Sequence, residues 1–321
     1  MMAIESDMNQ GVCGDEEYPL VSIAIITYNQ KEYLRECIES CLIQDYPNFE
    51  IVVADDCSTD GTQDLLRMYD TNYPGRFVLR LAEKNQGITP NSNVCISACS
   101  GKYIAILGGD DLLLESKITK QVKVLEADSD INLCGTFTKL VDSKGRDIGI
   151  RKDFKRKKTP IYTVCELIES GNGLVPVVSY MFRASSLPEE GFEPRIPIAS
   201  DSLFMCRVVG NKKIVILKEA LTAYRVHDSH AKKIGYKLDS LISRAFIEFY
   251  FPHCIPKIIE RKAISYLSQS VHAFLIDDKE LGFCMLKNSM SFKVNLKSII
   301  VFILAKLGLI KTAYGLCKKV K

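Results

Sequence analysis

One local pattern constrains this chain more than any other feature. Four times, a short, mainly apolar run rich in β-branched residues stops abruptly in polar residues and gives way to helical periodicity. The runs are Val21–Thr27, residues 50–54, Phe77–Leu81 and residues 103–107. Short apolar stretches of this kind fit buried strands, because a half-exposed strand alternates. Between the first two runs Tyr33, Leu34, Cys37, Ile38, Cys41 and Leu42 recur at steps of three and four. Leu65, Leu66 and Tyr69 do the same after Asp60-Gly61. Strand, helix, strand, helix implies a parallel sheet covered by helices, an α/β fold.

In such sheets ligands bind outside the carboxyl ends of the strands. Here those ends are unusually polar: Thr27-Tyr28-Asn29 follow the first run, Asp55-Asp56 the second, Asn85-Gln86-Gly87 the third and Gly108-Gly109-Asp110-Asp111 the fourth. Two acidic pairs therefore converge on one edge. Beyond Asp111 the pattern predicts a helix over residues 117–125, antiparallel pieces over Ile131–Val141 with a turn at Lys144-Gly145, and a loop in the basic stretch 151–158. Strands are expected at residues 177–182 and 214–217, flanking a helix that begins near Ser200-Asp201, and helices from about residue 236 onward.

Composition excludes several classes. At 321 residues, 47% hydrophobic and 25% charged, the chain is neither disordered nor low in complexity. Its 12 cysteines form no Cys-x-x-Cys pair, which argues against a zinc ribbon or a disulfide scaffold. Several lie inside apolar runs, where thiols act as small hydrophobes, so a reducing compartment and mainly structural cysteines are expected. Residues 1–18 carry five acids and no secretory pattern. After Glu280 come eight lysines and no Arg, Asp or Glu; the net +3 less this +8 leaves −5 on residues 1–280. A basic tail on an acidic body argues against nucleic acid as partner and for a local contact made by the tail.

Two adjacent carboxylates at a buried strand end raise each other's pKa unless a cation offsets them. A hard divalent ion such as Mg²⁺ or Mn²⁺ takes oxygen ligands, and Asp110-Asp111 supply a pair of them. Calcium-loop chemistry does not fit residues 56–61, because the twelfth position is Arg67 where a bidentate Glu is required. No Gly-x-Gly-x-x-Gly fingerprint follows the first strand; Gly171-Asn172-Gly173 leads to Pro176, and no Walker loop is present.

Taken in order, Val21 to Asn29, the run Val53-Ala54-Asp55-Asp56-Cys57-Ser58-Thr59-Asp60-Gly61-Thr62, Asn85 to Asn93, Gly101-Lys102-Tyr103-Ile104-Ala105 and Gly109-Asp110-Asp111 resemble the inverting nucleotide-sugar glycosyltransferases of family 2. The resemblance covers roughly residues 19–235. It implies the GT-A fold, a Rossmann-like mixed sheet flanked by helices, here with a C-terminal helical extension. The implied domains are an N-terminal tail (1–18), a GT-A domain (19–235) and a basic, helical, membrane-associating region (236–321).

Carried over residue by residue, the resemblance puts Tyr28 and Asp56 on the nucleotide base, with Thr27, Asn29, Asn85 and Gly87 around the donor. Asp110 contacts ribose or metal, Asp111 is a metal ligand, His227 of Tyr224-Arg225-Val226-His227 joins the metal or the diphosphate, and Arg225 holds phosphate. Asp201 is the implied base that takes the acceptor hydroxyl's proton. The cofactor is a divalent cation, Mn²⁺ or Mg²⁺, which neutralises charge on the departing nucleoside diphosphate. Many relatives carry a further carboxylate where this chain has Gly108.

The expected activity is metal-dependent, inverting transfer of a sugar from a nucleotide diphosphate donor, a UDP-sugar in the leading reading. The acceptor is a hydroxyl on a saccharide or lipid-linked saccharide, in cell-surface polysaccharide assembly. The expected location is the cytoplasm, peripheral on the inner face of the cytoplasmic membrane. There the apolar residues 299–305 and the flanking lysines meet anionic lipid, since seven residues cannot span a bilayer. Two alternatives belong to other classes: a non-catalytic nucleotide-sugar-binding module, and a sugar nucleotidyltransferase. The latter normally wants a Gly-rich basic loop that Thr27-Tyr28-Asn29-Gln30 does not provide.

Overall fold

The computed structural model describes residues 18–151, 159–170, 174–198, 201–226 and 234–319. The N-terminal tail up to residue 17, residues 152–158 of the basic stretch, the Gly171-Asn172-Gly173 run, Ser200 and His227 lie outside the described residues.

Among the described residues ten strands form one mixed sheet: β1 (Val21–Thr27), β2 (Phe49–Asp55), β3 (Phe77–Leu81), β4 (Tyr103–Gly108), β5 (Leu112–Leu113), β6 (Ile131–Val141), β7 (Asp147–Arg151), β8 (Ile161–Tyr162), β9 (Met181–Arg183) and β10 (Lys213–Arg225). Their order is β3-β2-β1-β4-β9-β6-β10-β5, with β7 paired to β6 and β8 to β10. The first four strands are parallel, β9 is antiparallel to both β4 and β6, and β10 runs parallel to β6.

Within the parallel half β1, β2 and β4 are buried on both faces, and β3 at the edge is only partly covered. Ala24, Val52, Ala54, Ile104 and Ile106 point into one core, while Ile23, Ile25, Ile51, Val53, Tyr103, Ala105 and Leu107 point into the other. This two-residue alternation between two apolar layers is why the strands read as mainly apolar runs. One layer is closed by α1 (Lys31–Leu42), α2 (Thr62–Asn72) and α4 (Lys117–Ala127). On the opposite face lie α3 (Ile88–Ser97), α5 (Val164–Ser170), α6 (Asp201–Val209) and part of α7 (Ile234–Tyr250). Then follow α8 (Ile255–Leu275), α9 (Lys279–Phe292), α10 (Leu296–Lys306) and α11 (Ile310–Lys319).

The chain leaves β1 to build β2 and β3 on one side, then returns to place β4 on the other. The order therefore reverses at β1, and the crevice beyond the ends of β1 and β4 is the topological switch point where ligands bind in open α/β sheets. Backbone bonds close this point: the Gly109 amide donates to the Ile26 carbonyl (2.9 Å) and the Asp56 amide to the Thr27 carbonyl (3.1 Å).

Three expectations change. The strand at residues 214–217 extends to Arg225 as β10, with register shifts between Leu217 and Ala220 and between Ala220 and Thr222. These irregularities break the alternation that would have revealed its length. Residues 177–182 are a 3₁₀ turn over Val177–Ser179 leading into β9, entered through Pro176. The third change is Cys165, which is joined to Cys254 across 89 residues with their Cα atoms 5.1 Å apart, so these two are not the free thiols expected.

That bond ties α5 to the start of α8, where Ile247, Phe251, Cys254 and Ile258 already share the core of α5 and α6. In the chain-entropy view a crosslink closing a loop this long destabilises the unfolded chain by about 4.6 kcal/mol. Reduction, or Cys165→Ser, is therefore expected to lower the urea midpoint without changing the folded spectrum. An unchanged midpoint in chemical denaturation would show that the bond contributes nothing.

Candidate active site

The site begins in two turns laced together. Asn29, just past β1, takes a left-handed backbone (φ 51), a conformation asparagine tolerates better than most residues. Its amide donates to Ser58 Oγ (2.8 Å), and its Oδ1 accepts from the Thr59 amide (2.8 Å). The Lys31 amide reaches Asp60 Oδ2 (3.0 Å). Burial acts to raise the pKa of Asp60, but hydrogen bonds from the Thr62 hydroxyl and from the Lys31 and Thr62 amides outweigh it and hold the carboxyl below its usual range. The lacing leaves Tyr28 exposed at the tip. Thr27 is buried beneath it, its Oγ1 2.8 Å from where a Cβ on Gly109 would stand.

The first acidic pair divides its work. Asp55 is fully buried and accepts from the Ser58 amide (2.9 Å), the Ser58 hydroxyl and Gln63 Nε2 (2.9 Å), so it holds the turn after β2. Asp56 accepts from the amides of Gln86 (2.7 Å) and Gly87 (2.8 Å), while Asn85 Nδ2 donates to its carbonyl (3.2 Å). Its carboxylate thus shapes the loop after β3, where Gly87 adopts φ 93. Thr27, Tyr28, Asn29, Asp56, Asn85 and Gly87, separated by up to 60 positions in the sequence, meet at one edge.

The second acidic pair converges over Gly108. A Cβ built there would lie 2.9 Å from Asp110 Oδ1 and 2.9 Å from Asp111 Oδ2, so both carboxylates turn back into the space a side chain would take. Both residues are buried. Desolvation first, and then the charge of Asp110, push the Asp111 carboxyl well above the usual range, against the pull of Arg225. The same negative field reaches Cys37, whose Sγ donates to the Gly108 carbonyl (3.6 Å). Burial is the main cause of its raised pKa, with Cys41, Asp111 and Asp110 adding to it. Two buried carboxylate oxygens in one place, already costly as a pair of like charges, fit a hard divalent cation.

Arg225 stands in a different place from the one expected. Its side chain is buried, with Nη2 on Glu36 Oε2 (2.6 Å), Nε on the Asp110 carbonyl (2.9 Å) and Nη1 on the Asp142 carbonyl (3.4 Å), and the guanidinium lies over the Tyr33 ring at 4.6 Å. Its amide donates to Asp111 Oδ1 (2.8 Å). The guanidinium is committed inside the protein, and the residue positions the acidic pair. The corresponding partners, Tyr33 and Glu36 on α1, carry no sequence signal beyond helical spacing.

Asp201 opens α6. The segment leading to it is pinned to the donor side: Thr89 Oγ1 donates to the Ile196 carbonyl (2.6 Å), and Asn93 exchanges bonds with the Phe192 carbonyl (2.9 Å) and amide (2.7 Å). From the other side Asp239 on α7 accepts from the Ile198 amide (2.9 Å). Asp201 keeps solvent access, yet enough protein surrounds its carboxyl for lost hydration to raise its pKa to about 6. Tyr224 on β10 ties the two halves. Its pKa rises to about 12 through burial first, then the charges of Asp111 and Asp110, with Asp201 adding and Arg151 opposing. The negative charges of the acidic pair and of Asp201 are thus felt at one phenol.

Comparison with known proteins follows from this geometry. The sequence profile of "Glycosyl transferase family 2" matches residues 22–175. An uncharacterized glycosyltransferase of Haemophilus influenzae is 30% identical over 227 residues, 68% of this chain and 69% of its own length. Another, of Methanocaldococcus jannaschii, is 29% identical over 226 residues, 69% of this chain and 76% of its own. TuaG of Bacillus subtilis, a glycosyltransferase named for teichuronic acid biosynthesis, is 35% identical over 107 residues, covering 33% of this chain and 42% of TuaG.

Among solved structures, S. aureus TarS in complex with UDP-GlcNAc superposes with a TM-score of 0.63 at 18% identity, over 91% of this chain and 88% of that one. A mannosyltransferase of Pyrobaculum calidifontis in complex with GDP-Man and Mn²⁺ gives 0.54 at 18% identity, over 92% and 83%.

The raised pKa of Asp201 has a consequence for stability. An acid whose folded pKa exceeds its unfolded value keeps its proton in the native state while the unfolded chain has lost it, so stability falls as pH rises from about 4 to about 6 and stays lower above that. Asp201→Asn removes this penalty. Its thermal midpoint is expected to exceed that of the parent at pH 7 to 8 and to match it near pH 4, with approximate pH values taken from these two pKa limits.

Proposed function

The chain belongs to glycosyl transferase family 2, with the GT-A fold, and we propose that it is an inverting transferase taking a sugar from a nucleotide diphosphate donor to an acceptor hydroxyl. A UDP-sugar is the proposed donor. The proposed acceptor is a saccharide or lipid-linked saccharide in cell-surface polysaccharide assembly, met at the cytoplasmic side of an anionic membrane. The observation that supports this reading is the convergence of the buried Asp110 and Asp111 carboxylates over Gly108, at the end of β4 beside the switch point of the sheet.

In this reading Tyr28 offers its exposed ring to the nucleotide base, and Asp56, held by the Gln86 and Gly87 amides, orients the base edge. Thr27, Asn29, Asn85 and Gly87 shape the donor wall. Asp110 and Asp111, with His227 as the proposed third ligand, hold Mn²⁺ or Mg²⁺, which supplies positive charge to the leaving diphosphate. Arg225 holds the Asp111 carboxylate through its amide and the Asp110 backbone through its guanidinium.

Asp201 is the base. Its carboxylate takes the proton of the acceptor hydroxyl as that oxygen bonds to the anomeric carbon, and the bond from that carbon to the diphosphate oxygen breaks on the opposite face, so configuration inverts. A carboxyl with a pKa near 6 is ionised at neutral pH and still more basic than an ordinary aspartate, which suits proton abstraction.

Binding and slow hydrolysis of UDP-, GDP- and dTDP-sugars, with Mn²⁺, Mg²⁺ or a chelator, test the reading. One sugar nucleotide is expected to bind in a metal-dependent way. Asp201→Asn should keep that binding and lose transfer by ~10²- to 10⁴-fold. Unchanged transfer removes Asp201 as the base, and no binding of any donor removes the transferase reading.

Gly108 gives a second test. A methyl group there meets both carboxylate oxygens at 2.9 Å, closer than non-bonded contacts allow, and must push them apart. Gly108→Ala is expected to weaken Mn²⁺ binding at least ~10-fold, read by electron paramagnetic resonance of the free ion, with the fold unchanged.

A further inference from the structure

The C-terminal helices leave a long apolar face uncovered. Leu296, Ile299, Ile300 and Ile303 on α10 and Leu307 just after it are each at least 41% exposed. Their spacing puts them on one side of the helix, while Ser298 is buried and Val301, Leu304 and Ala305 pack against the small core of Leu267, Phe274, Leu286 and Ile310. The face continues into an almost wholly apolar groove of about 380 Å³ between α8 and α10, with Ile264 and Leu267 on one wall, Ile300 and Val301 on the other and Lys297 at its edge.

Charge decides what this face meets. Every ionic residue after Glu280 is a lysine. Lys293 and Lys311 are balanced within the chain by Glu260 and Asp277, whereas Lys287 and Lys297 form no ion pair among the described residues. Packing the face against the same face of a second copy sets lysine against lysine. An anionic surface removes that conflict and accepts both the apolar stripe and the lysines.

A spanning role is excluded by length. Eleven residues of α10 reach about 16 Å, half of a hydrocarbon core about 30 Å thick. Among the described residues no helix is long and apolar enough to cross a membrane.

We infer that the α10 face, with the α8–α10 groove beside it, is a docking surface for an anionic phospholipid bilayer. The helix lies in the plane of the headgroups, Ile299, Ile300 and Ile303 enter the acyl boundary, and Lys287 and Lys297 meet lipid phosphates. The inference rests on the proposed reading that the acceptor is met at a membrane, and it gives that reading a defined surface.

The test is co-sedimentation of the full chain with vesicles of phosphatidylcholine alone or mixed equally with phosphatidylglycerol, with donor hydrolysis measured on the same samples. Binding to the mixed vesicles, weak binding to the neutral ones, and release by raising salt from about 0.1 M to several times that value are expected. The double variant Ile299→Ser with Ile303→Ser should bind ~10-fold less or weaker still, and hydrolyse donor in solution at the parent rate. Lys287→Gln with Lys297→Gln should lose the preference for phosphatidylglycerol.

Equal binding to both vesicle types, no binding, or variants that bind like the parent overturn the inference. So does a dimer in light scattering that the isoleucine variant abolishes, because a second copy then covers the face. Vesicle binding without hydrolysis of any sugar nucleotide leaves the docking surface standing and removes the transferase reading instead.

Discussion

The arrangement depends on keeping two neighbouring carboxylates, Asp110 and Asp111, buried at the end of β4. Water and counter-ions would normally relieve such a pair. Part of the relief comes from a distant residue, Arg225. Arg225 gives Asp111 its amide and the Asp110 carbonyl its Nε, and it is itself fixed by Glu36, by the Asp142 carbonyl and by the Tyr33 ring. The relief is incomplete, since Asp111 still stays above the usual carboxylate range. A site left short of positive charge in this way suits the divalent cation proposed above.

Gly108 belongs to the same constraint. Read as a sequence departure, it suggests a missing ligand. In three dimensions the absence of a side chain is what lets Asp110 and Asp111 fold back toward one point, each within 2.9 Å of the position a Cβ would occupy. The geometry exchanges one carboxylate from that position for closer convergence of the remaining two. Backbone distance along the strand cannot reveal such an exchange, because it depends on where neighbouring side chains turn.

Much of the architecture was legible for a simple reason: β1, β2 and β4 are buried on both faces, so Val21–Thr27 and its counterparts appear as mainly apolar runs with polar ends. The convergence of Asp56, Asp110 and Asp111 at one edge followed from the same logic. Other features were not local. β10 hid its length behind two register shifts, and the Cys165–Cys254 bond joins positions 89 residues apart with no spacing signature. Asp55 and Asp56 look equivalent in sequence, yet one points inward to Ser58 and Gln63 and the other to the loop after β3. Arg225 was misplaced because an arginine near acidic residues reads as an anion contact, whereas a fully buried guanidinium must find its acceptors within the protein.

The way the C-terminal helices join the rest decides what their surface can do. α8 is one continuous helix of 21 residues. Its first turn, with Ile258, lies in the core shared with α5 and α6, and its second half, with Leu267 and Phe274, lies in the small core that supports α10. Asp239 on the preceding helix bonds the Ile198 amide, three positions before Asp201, and Cys254 is linked to α5. The connection is therefore a packed beam with a covalent and a hydrogen-bonded anchor at its base. A surface gripped by α10 consequently constrains the orientation of α6 and of the crevice beside it, which a flexible tether of the same length would leave free. For an enzyme whose acceptor is confined to a plane, such a constraint replaces an orientational search with a fixed approach, and it requires no contact between the docking face and the reacting groups.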